Sequence, residues 1–293
     1  MRPLPAALLL SLLLACASGQ SGDAPDAGPD GGVAARPFRL VVPSSYDGGA
    51  PTPLVVLFHG YGANGSLQDA YFGMSAAAER HGALLATPDG TVDPRAMRFW
   101  NATDACCDFY GSHVDDVANF EALVDDVARR YRVDPKRIFA VGHSNGGFMV
   151  HRLACDSSAR LAAVVSLAGA GFWDPARCQP AQPVAVLQAH GDADAVVLYG
   201  GGVLLPGFAA HPSAPATVSA WAARNGCAAA PVLGMPLDLS PDLPGDETVV
   251  SRHPGCAGGA AELWTLHGGS HTPRFSAAWA DALFGFLLAH PKP

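Results

Sequence analysis

The chain has 293 residues, 49% of them hydrophobic and 15% charged, which is enough apolar matter for one large buried core or two small ones. Seven cysteines over that length are too few for a disulfide-built scaffold, and the composition is too apolar for disorder. The net charge is −8 and no basic run exceeds two residues, as in Arg129-Arg130, which argues against a nucleic-acid backbone or an anionic membrane as the main partner.

Met1-Arg2 precedes an apolar stretch, Ala6 to Ala15, that is too short to cross a bilayer, which takes about 20 residues. Residues 1–16 therefore read as a signal peptide, and the chain as exported, extracellular or held at a bacterial cell envelope. Leu13-Leu14-Ala15-Cys16 has the form of a lipobox, in which Cys16 would carry a lipid; this is the one membrane attachment expected. Ala15-Cys16-Ala17 also satisfies the small-x-small rule of ordinary cleavage, so free secretion is the alternative. Residues 17–36 are rich in Gly, Pro, Asp and Ala, the composition of a flexible linker. Asp23, Asp26 and Asp30 within it are spaced wrongly for a calcium loop.

From residue 37 to 293 one α/β domain is expected. Apolar runs Phe38–Val42, Leu54–Phe58, Ala83–Thr87, Arg137–Val141, Ala162–Leu167, Val184–Ala189 and Glu262–Leu266 read as strands of a mostly parallel sheet covered on both faces. Between them, Val117, Phe120, Val124 and Val127 recur at helical spacing, as do Trp279, Leu283, Phe286 and Leu287. Such alternation predicts a doubly wound sheet. Six cysteines remain after Cys16, an even set that reads as disulfides in an exported chain. Cys227–Cys256 is the pair we single out, closing a Pro/Gly-rich excursion for about 3.5 kcal/mol of chain entropy. Adjacent Cys106 and Cys107 are expected to bond elsewhere, one of them near Cys155 and Cys178. No cysteine spacing suits zinc, and neither metal nor cofactor is expected.

The chemistry gathers at strand ends. Gly142-His143-Ser144-Asn145-Gly146 follows the strand Arg137–Val141 and opens a helix running to about Cys155. A nucleophilic serine on such a turn has no room for side chains two residues either side, which Gly142 and Gly146 satisfy. A serine needs a base, and the base an orienting acid. In α/β-hydrolases these follow in the order serine, acid, histidine. Val184–Ala189 runs into His190-Gly191-Asp192-Ala193-Asp194, making Asp194 the expected acid and Asp192 its competitor. Glu262–Leu266 runs into His267-Gly268-Gly269-Ser270-His271, making His271 the base rather than His267, which ends the strand. Backbone N–H groups of Asn145 and Tyr61, the latter in His59-Gly60-Tyr61-Gly62, are the expected oxyanion donors. His59, Gly60 and His143 are the expected substrate contacts, although His59 also fits a structural role. Asp115 and Asp116 read as helix caps.

These pieces together resemble the exported polyhydroxybutyrate depolymerase-like and feruloyl esterase family, which includes carbohydrate esterase family 1 and LpqC-type lipoprotein esterases. The resemblance is carried by His59-Gly60-Tyr61-Gly62, Phe99-Trp100-Asn101 with Cys106-Cys107, Val114-Asp115-Asp116-Val117 and the serine turn. It continues through Leu153-Ala154-Cys155, His190 to Asp194, Tyr199-Gly200-Gly201, Trp221 with Asn225-Gly226-Cys227, Gly255-Cys256 and Gly269-Ser270-His271. It implies an α/β-hydrolase fold, a Ser144–His271–Asp194 triad, the Cys227–Cys256 bond, and Trp100 as a substrate contact, with a buried core tryptophan as the alternative. The chain departs from the family at Leu198, where a proline is usual, and at His271-Thr272-Pro273, which lacks a tryptophan. The implied activity is hydrolysis of a feruloyl or acetyl ester on plant polysaccharide, or of a short hydroxyalkanoate ester. The substrate would be a small molecule, an oligosaccharide ester or an oligoester. An acyltransferase on the same scaffold and a non-catalytic surface binding protein are the rival classes.

Overall fold

A computed structural model describes residues 35–293; the expected signal peptide, the expected lipid attachment at Cys16 and the expected linker up to residue 34 lie outside the described residues. In chain order the first elements are β1 (Phe38–Val41), β2 (Thr52–Phe58), α1 (Gly65–Phe72), α2 (Met74–His81) and β3 (Leu84–Pro88). A short ribbon, β4 (Thr91–Val92) with β5 (Arg98–Phe99), precedes α3 (Asp116–Arg130), β6 (Val133–His143), α4 (Asn145–Asp156) and β7 (Ala163–Leu167). Next come β8 (Ala185–Gly191), a second ribbon of β9 (Gly202–Val203) and β10 (Ala210–His211), and α5 (Ala214–Arg224). The chain closes with β11 (Val232–Leu233), β12 (Thr248–Arg252), β13 (Ala261–Leu266) and α6 (Ala278–Ala289).

Nine strands form one sheet in the order β1-β3-β2-β6-β7-β8-β13-β12-β11. The six central strands, β3 to β13, run parallel, and the outer pairs β1·β3, β13·β12 and β12·β11 are antiparallel. The uninterrupted apolar runs follow from cover on both faces. In β2, Leu54, Val56 and Phe58 enter one core with Phe120, Leu123 and Val127 of α3. Val55 and Leu57 enter the other with Trp279, Leu283 and Phe284 of α6. Burying a side chain of this kind contributes roughly 1.5–3 kcal/mol, so the sheet is held by its two faces more than by its edges.

The structure adds to the expected elements in two places. Strand β6 begins four residues early, because Val133 pairs with Thr52 before a register shift carries the chain past Pro135. The Ala228–Gly255 excursion contains β11 and β12, which extend the sheet beyond β13. Cys227–Cys256 is bonded, as is Cys155–Cys178. The expectation for Cys106 and Cys107 is corrected: they bond to each other, since Cys155 and Cys178 already satisfy one another. At the rim where β6 begins, the Lys292 N–H donates to the Lys136 carbonyl at 2.8 Å and the Lys292 ammonium to the Ser158 carbonyl at 2.7 Å.

Candidate active site

Ser144 occupies the corner between β6 and α4 with φ 54° and ψ −119°. A side chain on the left-handed side of φ is costly, and this one is retained because the surroundings leave no other path. A Cβ on Gly142 would collide with the Gly146 carbonyl, and one on Gly146 with the Phe58 carbonyl. The strand and helix therefore meet backbone to backbone, and the Ser144 side chain projects from the turn. Its own N–H is fixed to the Leu167 carbonyl at 2.8 Å.

The loops after β8 and β13 are stitched together before they reach Ser144. Asp192 N–H donates to the Leu266 carbonyl at 3.1 Å and Ala193 N–H to the Gly269 carbonyl at 3.0 Å. A Cβ on Gly191 would strike the Gly269 carbonyl, so the two turns touch. Asp194 Oδ1 accepts from the N–H groups of Val196 and Val197 at 2.8 and 2.9 Å. Asp194 Oδ2 lies 2.8 Å from His271 Nδ1, and His271 Nε2 lies 3.0 Å from Ser144 Oγ. Ser144, His271 and Asp194 are thus brought into one hydrogen-bonded line, with the carboxylate fully buried and the His271 side chain 15% exposed. Burial alone would raise the Asp194 pKa. Hydrogen bonds from His190, His271 and the Val196 N–H outweigh it and hold the carboxyl well below the usual range. Asp192, the competing acid, accepts instead from His267 Nδ1 at 2.8 Å and from the Gly268 N–H at 2.7 Å, forming a separate exposed pair.

A Cβ on Gly60 would lie 3.4 Å from the Ser144 Cβ, which places the His59–Gly62 turn against the serine. Tyr61 is fixed in that turn by its hydroxyl, which donates to Asp93 Oδ2. Asn145 is the first residue of α4, where the helix field favours negative charge. Its side chain accepts from the Trp100 N–H at 2.7 Å and donates to the Trp100 carbonyl at 2.9 Å. Among the described residues neither the Tyr61 nor the Asn145 N–H has an acceptor.

Of the four expected substrate contacts, Gly60 borders Ser144 and three are corrected. His59 and Trp100 have no exposed surface. His59 Nδ1 donates to the Gly60 carbonyl at 2.8 Å, its Nε2 accepts from the Gly90 N–H at 2.9 Å, and Trp100 Nε1 donates to the His59 carbonyl at 2.9 Å. Both rings brace the turn from beneath. His143 is also buried; burial lowers its pKa to about 4, and its Nε2–H donates to the His271 carbonyl at 3.0 Å, so it supports the base from below. Asp115 caps α3 by accepting from the Ala118 N–H at 2.9 Å, and buried Asp116 accepts from Arg36 and the Asn101 N–H. An aromatic row escaped the sequence reading: Tyr61 meets Phe109 at 5.4 Å and Phe109 meets Phe208 at 5.1 Å between ring centroids. The three rings come from three loops, so no spacing could announce them. Among the described residues no group of His, Cys, Asp or Glu is arranged to hold a metal ion.

The chain is similar to known proteins in sequence and in fold. Over 247 residues, 80% of this chain and 42% of the relative, it is 29% identical to feruloyl esterase B of Piromyces equi. Over 142 residues, 48% of this chain and 40% of the relative, it is 34% identical to the putative esterase NocK of Nocardia uniformis subsp. tsuyamanensis. It therefore spans about two fifths of the length of these two relatives. Feruloyl esterase D of Neurospora crassa is 26% identical over 251 residues, 81% of this chain and 74% of the relative. Acetyl xylan esterase from Aspergillus awamori superposes with a TM-score of 0.57 at 15% identity, over 85% of this chain and 93% of that one, a likeness of fold. The Phospholipase/Carboxylesterase profile matches residues 45–208, which include both Ser144 and Asp194. On an α/β-hydrolase sheet, and with that match over more than half its length, this chain belongs to the Phospholipase/Carboxylesterase family.

Proposed function

We propose that this protein is an exported serine esterase that cleaves carboxylic esters through Ser144, His271 and Asp194. The observation that carries the reading is the line of contacts from Asp194 Oδ2 through the His271 ring to Ser144 Oγ, at 2.8 and 3.0 Å. In this scheme His271 Nε2 takes the Ser144 proton as Oγ attacks the ester carbonyl, and Asp194 holds the imidazolium that forms. The N–H groups of Tyr61 and Asn145 receive the oxyanion. His271 returns the proton to the leaving alcohol, then activates the water that releases the acid from Ser144. The chemistry calls for no metal or cofactor.

The substrate we propose is a feruloyl or acetyl ester of a plant polysaccharide fragment, with a short hydroxyalkanoate ester as the competing class. Relatives named feruloyl esterase support the first, and the half-buried, edge-to-face row Tyr61–Phe109–Phe208 offers aromatic ring surface beside the oxyanion turn for an aryl acid. Export is supported by three disulfides among the described residues, bonds that persist in oxidising compartments. Lipidation at Cys16 would add the one membrane contact proposed.

The test sets wild type beside Ser144→Ala on p-nitrophenyl acetate and butyrate, methyl ferulate, acetylated xylan and hydroxybutyrate oligomers. Turnover should drop by on the order of 10⁶-fold in the variant, because the serine acts as a unit with its partners. Retention of most activity by folded Ser144→Ala would remove the serine mechanism. The best substrate of the wild type would decide among the ester classes.

A further inference from the structure

Asp194 is approached by a second histidine that the esterase scheme does not use. His190 lies near the end of β8 and is 1% exposed. Its Nε2 is 2.8 Å from the Val197 carbonyl oxygen and 3.3 Å from Asp194 Oδ2. Both of those oxygens only accept, so Nε2 must carry the proton. Nδ1 is then an acceptor, and it faces the Gln188 side-chain amide nitrogen at 3.2 Å.

Gln188 is fully buried. Its Nε2 also lies 3.0 Å from the Gly169 carbonyl oxygen and 3.3 Å from that of Ala189, so its N–H groups are shared among these and His190 Nδ1, and its Oε1 lies 2.8 Å from His151 Nε2. His151 Nε2 must therefore donate, which leaves Nδ1 to accept from the Trp221 indole N–H at 3.1 Å. An indole nitrogen can only donate. The chain has a donor-only group at one end and acceptor-only groups at the other, so the direction of the hydrogen bonds along it is fixed.

We propose that His190 is a positioning residue for Asp194, held in its Nε2–H tautomer by a one-way chain of hydrogen bonds from Trp221 through His151 and Gln188. The proposal rests on the reading of Asp194 as the acid of the reacting set. With the proton on Nδ1 instead, His190 would turn a lone pair toward the Val197 carbonyl and the Asp194 carboxylate, pushing apart the loop that aims Asp194 at His271. That tautomer would also need Gln188 reversed, setting its oxygen against the Gly169 carbonyl and its NH2 against His151. His151 would then need its proton on Nδ1, facing the Trp221 N–H. Because the network is buried, no bulk water is at hand to relieve any of these clashes. Trp221 thereby ties α5 to the aim of the acid loop without touching a substrate.

The experiment is ¹⁵N NMR of histidine-labelled protein, full chain, in wild type, Ser144→Ala and Trp221→Phe, paired with steady-state kinetics. His151 and His190 should both read as Nε2–H tautomers in wild type and in Ser144→Ala. Trp221→Phe keeps an aromatic ring and deletes the donor. It should give a mixed His190 tautomer and a kcat lower by roughly 10-fold with KM within about twofold. His190→Phe should lower kcat on the order of 10²-fold, and His190→Gln, which restores a donor, should recover part of that loss. A wild-type His190 carrying its proton on Nδ1 overturns the proposal, as does a Trp221→Phe variant with tautomers and kcat unchanged. If Trp221→Phe does not fold, the wild-type tautomers still decide. Activity surviving in Ser144→Ala would sink the esterase mechanism while leaving the tautomers to stand or fall by themselves.

Discussion

Each of the three polar groups in the hydrogen-bonded line is fixed by a different kind of restraint. Ser144 is aimed by backbone it would not choose, His271 by the carbonyl contact with buried His143, and Asp194 by two loop N–H groups on its other oxygen. Replacing Asp194 with Asn should keep the fold and lower kcat by about 10⁴-fold, since an amide can hold the imidazole in the wrong tautomer. Near-wild-type kcat in Asp194→Asn would instead return Asp192 to consideration. At this scale the sequence was most informative where a residue directly follows a strand, because topology fixes what a strand end can reach. Ser144, Asp194 and His271 all follow strands. Burial depends on residues far along the chain, so nothing local told His59 and Trp100 from substrate contacts, or gave His190 a role.

Among elements, the contact between β6 and α4 tolerates least. Gly146→Ala would force a methyl group into the Phe58 carbonyl and should destabilise the protein by about 1–3 kcal/mol or more, read by denaturant titration. The same substitution should depress activity in whatever fraction stays folded, because Ser144 would shift with the helix. The Cys227–Cys256 bond closes a separation of 29 residues around β11 and β12. Cys227→Ala with Cys256→Ala should cost about 3.5 kcal/mol, with Ser144-dependent turnover largely kept. An unchanged urea midpoint would show that the two strands hold the excursion without the bond. Long buried strands, the amphipathic helix α3 and the apolar helix α6 were legible from periodicity. Strand β12 was not, for Thr248–Arg252 is a five-residue run embedded in Pro- and Gly-rich sequence and is defined by pairing with β13.

Across the whole molecule, the buried histidines couple stability to pH. Burial holds both His143 and His151 at a pKa of about 4, below the ordinary value of 6.5. The unfolded chain therefore binds more protons than the folded one between those values. Stability is complete above about pH 6.5 and is lost as pH falls toward 4, by up to roughly 1.4 kcal/mol per pH unit for each histidine. The depressed Asp194 carboxyl acts in the same sense at lower pH, its contribution fading once the acid approaches its folded value. Melting followed from pH 7 to 4.5 should show a steady decline, and a flat curve would contradict burial of these rings in neutral form.

Charge placement has a practical consequence at this scale too. The chain has only two lysines, Lys136 and Lys292, and they are neighbours on the rim where β6 begins, whereas Ser144 lies past the other end of that strand. Lys136 is exposed, and partial burial lowers the Lys292 pKa. Grafting this protein onto a bead through its lysines would attach it by one face and turn the Ser144 end of β6 toward the surrounding solution.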